Sequence, residues 1–265
     1  MNKTEAFLKW QKNTQEIFDF SVLVHYAVPV LKQQISLVEK GVVKQLCRPD
    51  YYRSHKENYY SSPNLLNSIK RRTSGYKSHV SDYLLLSLFS YFEAFVIDII
   101  KEFLDFHGGI SEFQSFAIRK SKNSIEQLSN HKEIRKYRNN LKQTLAKNQP
   151  DRKHAIRELK KTEFRFPSDH FASYGIFMLG KKIEDLKARD IPEVLINVLL
   201  IELDPEDVKK FHNIRDIRNS IAHGQLVHLD IEAVTKHNDV LMGLAKKVNT
   251  HVCEFFKIYE CHYFS

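Results

Sequence analysis

Near position 220 an arginine, an asparagine and a histidine stand close together, as Arg218, Asn219 and His223 in the run Ile217-Arg-Asn-Ser-Ile-Ala-His-Gly224. Each brings something different. Arginine carries a permanent positive charge on a planar fork that matches phosphate oxygens. Histidine is the side chain whose proton moves most readily near neutral pH. Asparagine both donates and accepts hydrogen bonds, so it can hold an imidazole or an anionic oxygen in place. Together the three are suited to moving protons beside an anion.

Residues at such spacing act together only if one element presents them. The segment 204–224 reads as a helix with two faces. Asp204-Pro-Glu-Asp207 is a strong start, with Asp at the N-cap, Pro at the first helical position and acids in the first turn. Gly224 supplies the stop. On a wheel of roughly 100° per residue, Val208, Phe211, Ile214, Ile217 and Ile221 share an apolar face, while His212, Arg215, Asn219 and His223 form a polar stripe. Arg218 falls at the border, where its stem can lie on the core while the guanidinium reaches out.

The rest of the chain must fold around that helix. With 8 Gly and 7 Pro in 265 residues, and 28% charged residues, helix is the cheaper backbone almost everywhere. All-β and Gly-rich architectures are excluded, and 42% hydrophobic content is too high for a disordered chain. Residues 3–46 have helical periodicity, with Pro29 marking a kink or a break between two helices. Residues 48–78 are turn-rich and basic with interleaved tyrosines. They read as a long surface loop with a short helix near Leu65–Ile69, or as a loop that stacks and clamps RNA. The strongest helix is 79–107, with Val80, Leu84, Leu88, Tyr91, Phe92, Phe95, Ile99 and Phe103 apolar and Gly108-Gly109 as stop. Its window Tyr83 to Ile100 contains Glu93 and Asp98 and reads as a buried helix, not a membrane span. A further helix opens at Pro167-Ser-Asp-His, an apolar one runs Val194 to Leu203 behind Pro192, and Asp230 caps a last helix to about Tyr259.

Charge is unevenly placed. The chain carries a formal +9, and residues 119–165 alone hold 15 Lys/Arg against 5 Asp/Glu, so the remainder is close to neutral. The 110–165 segment is helical by propensity but polar nearly all round, as in a projecting arm or a solvated face. Arg135, Arg138, Lys142, Arg152 and Lys153 are its candidate contacts for a polyanion such as RNA. Cys47, Cys253 and Cys261 show neither metal-ligand spacing nor an even-numbered disulfide framework, and the N-terminus lacks a signal-peptide layout, so a reducing cytosol is the expected home. No His-x-x-x-His or Glu-x-x-His pair shares a helical face, so neither a metal nor another cofactor is expected.

Arg-x-x-x-x-His, with Asn after the Arg and Ala-His-Gly at the end, closely resembles the motif of the HEPN superfamily. A second stretch, Leu88-Phe-Ser-Tyr-Phe-Glu-Ala-Phe95, is similar to an early helix of that family that carries an acidic residue facing the site. The resemblance spans residues 79–107 and 192–260. It implies an all-α helical bundle, here one domain over 1–265 with a loop insertion at 48–78 and a basic helical insertion at 110–165. It implies a metal-independent endoribonuclease of the toxin or antiphage defence type, with Arg218, Asn219, His223 and Glu93 at the site and His212 and Arg215 as RNA contacts. Cleavage of RNA through its own 2′-hydroxyl needs a base on that hydroxyl, an acid on the leaving 5′-oxygen and positive charge on the phosphorane. One His per chain leaves one proton transfer unassigned. The family's solution is a homodimer that faces two such helices across a two-fold axis. An antitoxin or another defence-system protein is a further implied partner, and no membrane is.

Other readings of the same residues stand beside these. Arg218 and His223 could be a surface charge and a His bonding the last carbonyls of its helix. Glu93 could pair with a Lys or Arg inside the bundle. The chain could be a non-catalytic HEPN scaffold that binds RNA or a partner. A DNA-binding regulator is disfavoured because no helix-turn-helix pattern stands out.

Overall fold

The computed structural model describes residues 3–46, 65–112, 115, 186–199, 201–225 and 227–256. Among them every regular element is helical, so the all-α expectation holds. The long helices are α1 (Glu5–Glu39), α3 (Tyr76–Phe106), α4 (Pro205–Ala222) and α5 (Ile231–Phe255), with a shorter α2 (Leu65–Ser74). Between α3 and α4 lie a 3-10 turn (Ala188–Asp190), one α turn (Ile191–Glu193) and a π turn (Val194–Val198).

Three expectations are sharpened. Of the kink or break expected at Pro29, the break does not occur, since Pro29 lies inside α1, a single helix over Glu5–Glu39. Pro29 is exposed, and on a water-facing side the carbonyl that loses its partner can tilt into solvent. The short helix expected near Leu65–Ile69 is present and longer, running Leu65–Ser74 as α2 and separated from α3 by Gly75 alone, while residues 48–64 of that loop lie outside the described residues. The apolar helix expected from Val194 to Leu203 stops at Val198. Leu199 N–H donates to the Val194 carbonyl and Ile201 N–H to that of Leu195, at 3.0 and 2.9 Å, so the run widens to a π turn and ends. The segments 110–165 and 167–186 lie almost wholly outside the described residues, as does the stretch from Ile258 to Tyr259.

The chain divides into two compact units that share α1, α3, α4 and α5. The first comprises residues 1–12, 89–216 and 239–265. Its core is aromatic. Phe7, Trp10 and Phe95 meet at ring-centroid distances of 5.7–6.0 Å, Phe89 and Phe92 lie 5.4 and 5.9 Å from Phe211, and Phe103 lies tilted against Phe256 at 4.8 Å. The start of α1 is closed by borrowed groups. Thr4 Oγ1 accepts from Phe7 N–H at 3.1 Å and donates to the fully buried Asn249, while the Glu102 carboxylate accepts from the N–H groups of Glu5 and Ala6. Four orphan donors are a fixed cost of any helix start, and here another helix supplies part of the answer. By length and composition α3 could cross a bilayer, yet half of its most apolar window is buried within the protein. It is a core helix, as the sequence suggests.

The second unit comprises residues 13–88 and 217–238. Ile35, Leu84, Leu85, Leu88 and Val234 are buried in it. Tyr76 meets His25 in a T-shaped contact with centroids 5.5 Å apart, the Lys32 ammonium lies 5.2 Å from the Tyr76 ring, and Lys70 bridges to Glu39 at 2.6 Å.

Candidate active site

α4 forms as its sequence dictates. Pro205 opens it, Glu206 and Asp207 fill the first turn, and Asp204 accepts on its carbonyl from Val208 N–H. The acids also work across space, since Lys247 of α5 binds Asp207 at 2.6 Å and approaches Asp204 at 3.7 Å. The Asp207 hydrogen bond, with the charges of both acids, raises the Lys247 pKa. On the apolar face Phe211 and Ile214 are buried, while Val208, Ile217 and Ile221 are half-buried. The helix is therefore anchored most firmly at its middle.

Its end is defined by a left-handed residue. Gly224 has φ +77°. Gln225 N–H donates to the Ser220 carbonyl and Gly224 N–H to that of Ile221, both at 2.9 Å. This pair of bonds is the Schellman closure, and it needs a residue that tolerates positive φ. His223 is thus the last residue before the chain turns away. Its own N–H is still bonded to the Asn219 carbonyl at 2.9 Å, and its side chain is exposed.

Arg218 and Asn219 are half-buried and joined, Arg218 Nη1 donating to Asn219 Oδ1 at 3.1 Å. The bond uses the amide oxygen and leaves the amide NH2 as a donor for an anionic oxygen. Arg218, Asn219 and His223 all belong to the second unit.

His212, Arg215 and Glu93 belong to the first unit, where each is half-buried. Arg215 donates through Nη1 to His212 Nδ1 at 3.0 Å, and through Nε and Nη2 to Asp216 Oδ1 at 2.9 and 2.7 Å. A guanidinium only donates, so His212 Nδ1 is the acceptor in this bond. Within the expected polar stripe, His212 and Arg215 are bonded to each other, while Asn219 is bonded to Arg218 at the stripe's border. Asp216, which the wheel left out, is the principal partner of Arg215. Arg135, Arg138, Lys142, Arg152 and Lys153 lie outside the described residues.

The second unit holds one more polar group that composition and motif did not single out. Asp82 on α3 has its Oδ1 sealed from solvent without a hydrogen-bond partner. Desolvation raises its pKa, opposed by the charges of His79, one turn earlier on α3, and of His228, in the link between α4 and α5. Both imidazoles are exposed. The only hint in the sequence is the i, i+3 spacing of His79 and Asp82. The approach of His228 comes from the fold.

The family model described as RiboL-PSP-HEPN matches residues 53–254, well over half of the chain. The match takes in both the 79–107 helix and the Arg218–His223 motif, together with everything between them. No curated protein and no solved structure shows significant similarity to the chain.

Proposed function

The chain belongs to the RiboL-PSP-HEPN family, and on that footing we propose that it is a metal-independent endoribonuclease. One observation carries the reading. Within a single compact unit, a hydrogen-bonded Arg218–Asn219 pair and an exposed His223 lie on the last turn and a half of one helix, whose end is fixed by Gly224. In this reading His223 takes the proton of the ribose 2′-hydroxyl. The 2′-oxygen forms its bond to phosphorus, and the bond from phosphorus to the 5′-oxygen breaks. Arg218 places its charge on the phosphorane oxygens, and Asn219 holds the guanidinium in register. The products are a 2′,3′-cyclic phosphate and a 5′-hydroxyl. A second imidazole must protonate the leaving oxygen, and His223 of a second copy fills that role in a composite site. A cytoplasmic toxin or antiphage effector, released from an antitoxin or another defence partner, is the biological setting that this chemistry suits.

The test uses the full chain and its His223→Ala variant on RNA, with a chelator present. Cleavage to 2′,3′-cyclic ends is expected from the wild type, with a loss of ~10²–10⁴-fold in the variant. Equal behaviour of the two would leave the non-catalytic scaffold reading in its place, and abolition by chelator would overturn the mechanism. Mixing His223→Ala with an Arg218→Ala chain is expected to restore part of the activity if the site is shared between copies.

A further inference from the structure

α2 and the first turns of α3 have no role in the chemistry above, and their charge is one-sided. Residues 65–81 hold Lys70, Arg71, Arg72 and Lys77 and no Asp or Glu. All of these cations are exposed. Lys70 is matched by Glu39 of α1 at 2.6 Å. Hydroxyls close the end of α2: Thr73 Oγ1 donates to the Lys70 carbonyl at 2.8 Å and Ser74 Oγ to that of Arg71 at 2.6 Å. Capping the helix therefore makes no call on the Arg71 guanidinium. α1 adds no Asp or Glu between Phe20 and Val38, and its Lys32 lies over Tyr76 at the start of α3.

The exposed side of α3 adds rings to this charge. His79 and Tyr83 are one turn apart and both exposed, Tyr83 by 67%. His79 Nε2 lies 3.8 Å from where a Cβ on Gly75 would stand, so the imidazole sits at the α2–α3 junction. Asp82 feels the charges of His79 and His228 alike, which brings the α4–α5 link beside the same stretch of α3. Leu229 N–H donates to the Val227 carbonyl at 2.7 Å, a tight turn with exposed His228 at its tip. His228 comes five residues after His223, a reach of at most about 17 Å along the chain. The acids of the link and of early α5 are engaged, Asp230 as the cap of Ala233 N–H and Glu232 with Lys236. All these residues share the second unit with Arg218, Asn219 and His223.

We infer that this exposed strip, from the end of α2 along α3 to His228, is a track for single-stranded RNA leading to the Arg218–His223 turn, with Arg71 and Lys77 on phosphates and bases stacked on Tyr83 and His79. Exposed cations with no acid between them suit a polyanion, and the rings select its kind. A duplex hides its base faces, whereas a single strand can lay each one on a flat ring. An acidic peptide or a lipid headgroup would use the cations and leave Tyr83 idle. The inference takes its class of substrate from the ribonuclease reading but concerns binding alone.

Fluorescence anisotropy of a labelled 2′-O-methyl RNA strand on the full chain tests it, since that strand has no 2′-hydroxyl to attack and stays whole in every arm. The wild type is expected to bind the single strand more tightly than a 2′-O-methyl duplex of equal length. Tyr83→Ala alters an exposed position and is expected to stay folded by circular dichroism yet bind about 10-fold or more weakly, while Tyr83→Phe keeps the ring and binds as the wild type. Arg71→Gln with Lys77→Gln is expected to lower the logarithmic salt slope by about 1.4. Contacts made by 119–165 are common to all variants and cancel in the comparison. Wild-type affinity in Tyr83→Ala, an unchanged salt slope, or a duplex bound as tightly as the single strand overturns the inference. Polyglutamate bound as tightly as the strand overturns it too, by making the strip a surface for an acidic protein. The expected pattern in a chain that cuts no RNA would uphold the track and sink only the ribonuclease reading.

Discussion

Arg218 and Asp82 show how far residue chemistry can be pushed. Arg218 donates to Asn219 through one nitrogen of a five-donor fork, so in the proposed reaction its contribution is geometric as well as electrostatic. Lysine would keep the charge and lose the fork. Arg218→Lys is therefore expected to lower kcat by about 10²-fold with little change in KM, read from single-turnover cleavage. Asp82 makes a stability prediction with a definite sign. Its carboxyl has a raised pKa because burial disfavours the charged form. The folded state therefore binds more protons than the unfolded one between the unfolded value near 3.8 and the raised folded one. Above that window the full penalty is present, and it is relieved as pH falls through it. Asp82→Asn is expected to raise the melting midpoint at neutral pH, with a gain that vanishes in acid. His237 runs the other way. Burial lowers its pKa from 6.5, so the neutral ring is favoured in the fold. Its contribution is fully present above about 6.5 and is lost as pH falls toward the lowered value. Thermal melts across that range should show a steeper acid-side loss in the wild type than in His237→Gln. The sequence named Arg218, Asn219 and His223 because spacing within one helix is local information. It could not name the bonds of Arg215, since whether its fork reaches Asp216 or His212 depends on rotamers, nor the burial of Asp82, which is set by elements far away in the chain.

At the scale of elements, the ends were legible where they are written in side chains. The sequence marks Asp230 as a cap, and its Oδ1 accepts from Ala233 N–H at 2.7 Å. Gly108 and Gly224 stand where the sequence calls for stops, and both have positive φ. Two things escaped this kind of reading. A proline inside a periodic segment announces a break, yet the side of the helix it faces decides whether one occurs, and that side is fixed by packing. The run after Pro192 looked like any apolar helix, but its hydrogen bonds to carbonyls five and six residues back are a tertiary outcome. The terminus of α4 gives the sharpest test. An L-residue at φ +77° is strained even though nothing lies within 4 Å of an added Cβ. Gly224→Ala is expected to cost about 1 kcal/mol of stability in chemical denaturation. Because His223 immediately precedes the turn, the same change should lower cleavage more than the stability loss explains. Asp230→Ala, at the start of the next helix, is expected to cost about 1 kcal/mol through loss of its cap.

On the scale of the whole molecule the question is how charge and surface are divided. The +9 of the chain is concentrated in 119–165, away in sequence from Arg218, Asn219 and His223. Cleavage and gripping are then separable tasks. A protein that neutralises phosphates loses affinity with salt in proportion to the contacts it makes, roughly 0.7 in logarithmic slope per contact for single strands. If Arg135, Arg138, Lys142, Arg152 and Lys153 grip RNA, replacing all five with glutamine should reduce that slope by up to about 3.5. It should also weaken binding of a long RNA at moderate salt. A dinucleotide reaches only the residues around the scissile bond, so its turnover should be unchanged by the same five substitutions. Fluorescence anisotropy on a long RNA and a cleavage assay on the dinucleotide separate the two effects. An unchanged salt slope would make the basic segment a solvated face and leave gripping to Arg215 and the residues near α4. A loss of dinucleotide turnover would instead put the segment's cations at the reacting phosphate.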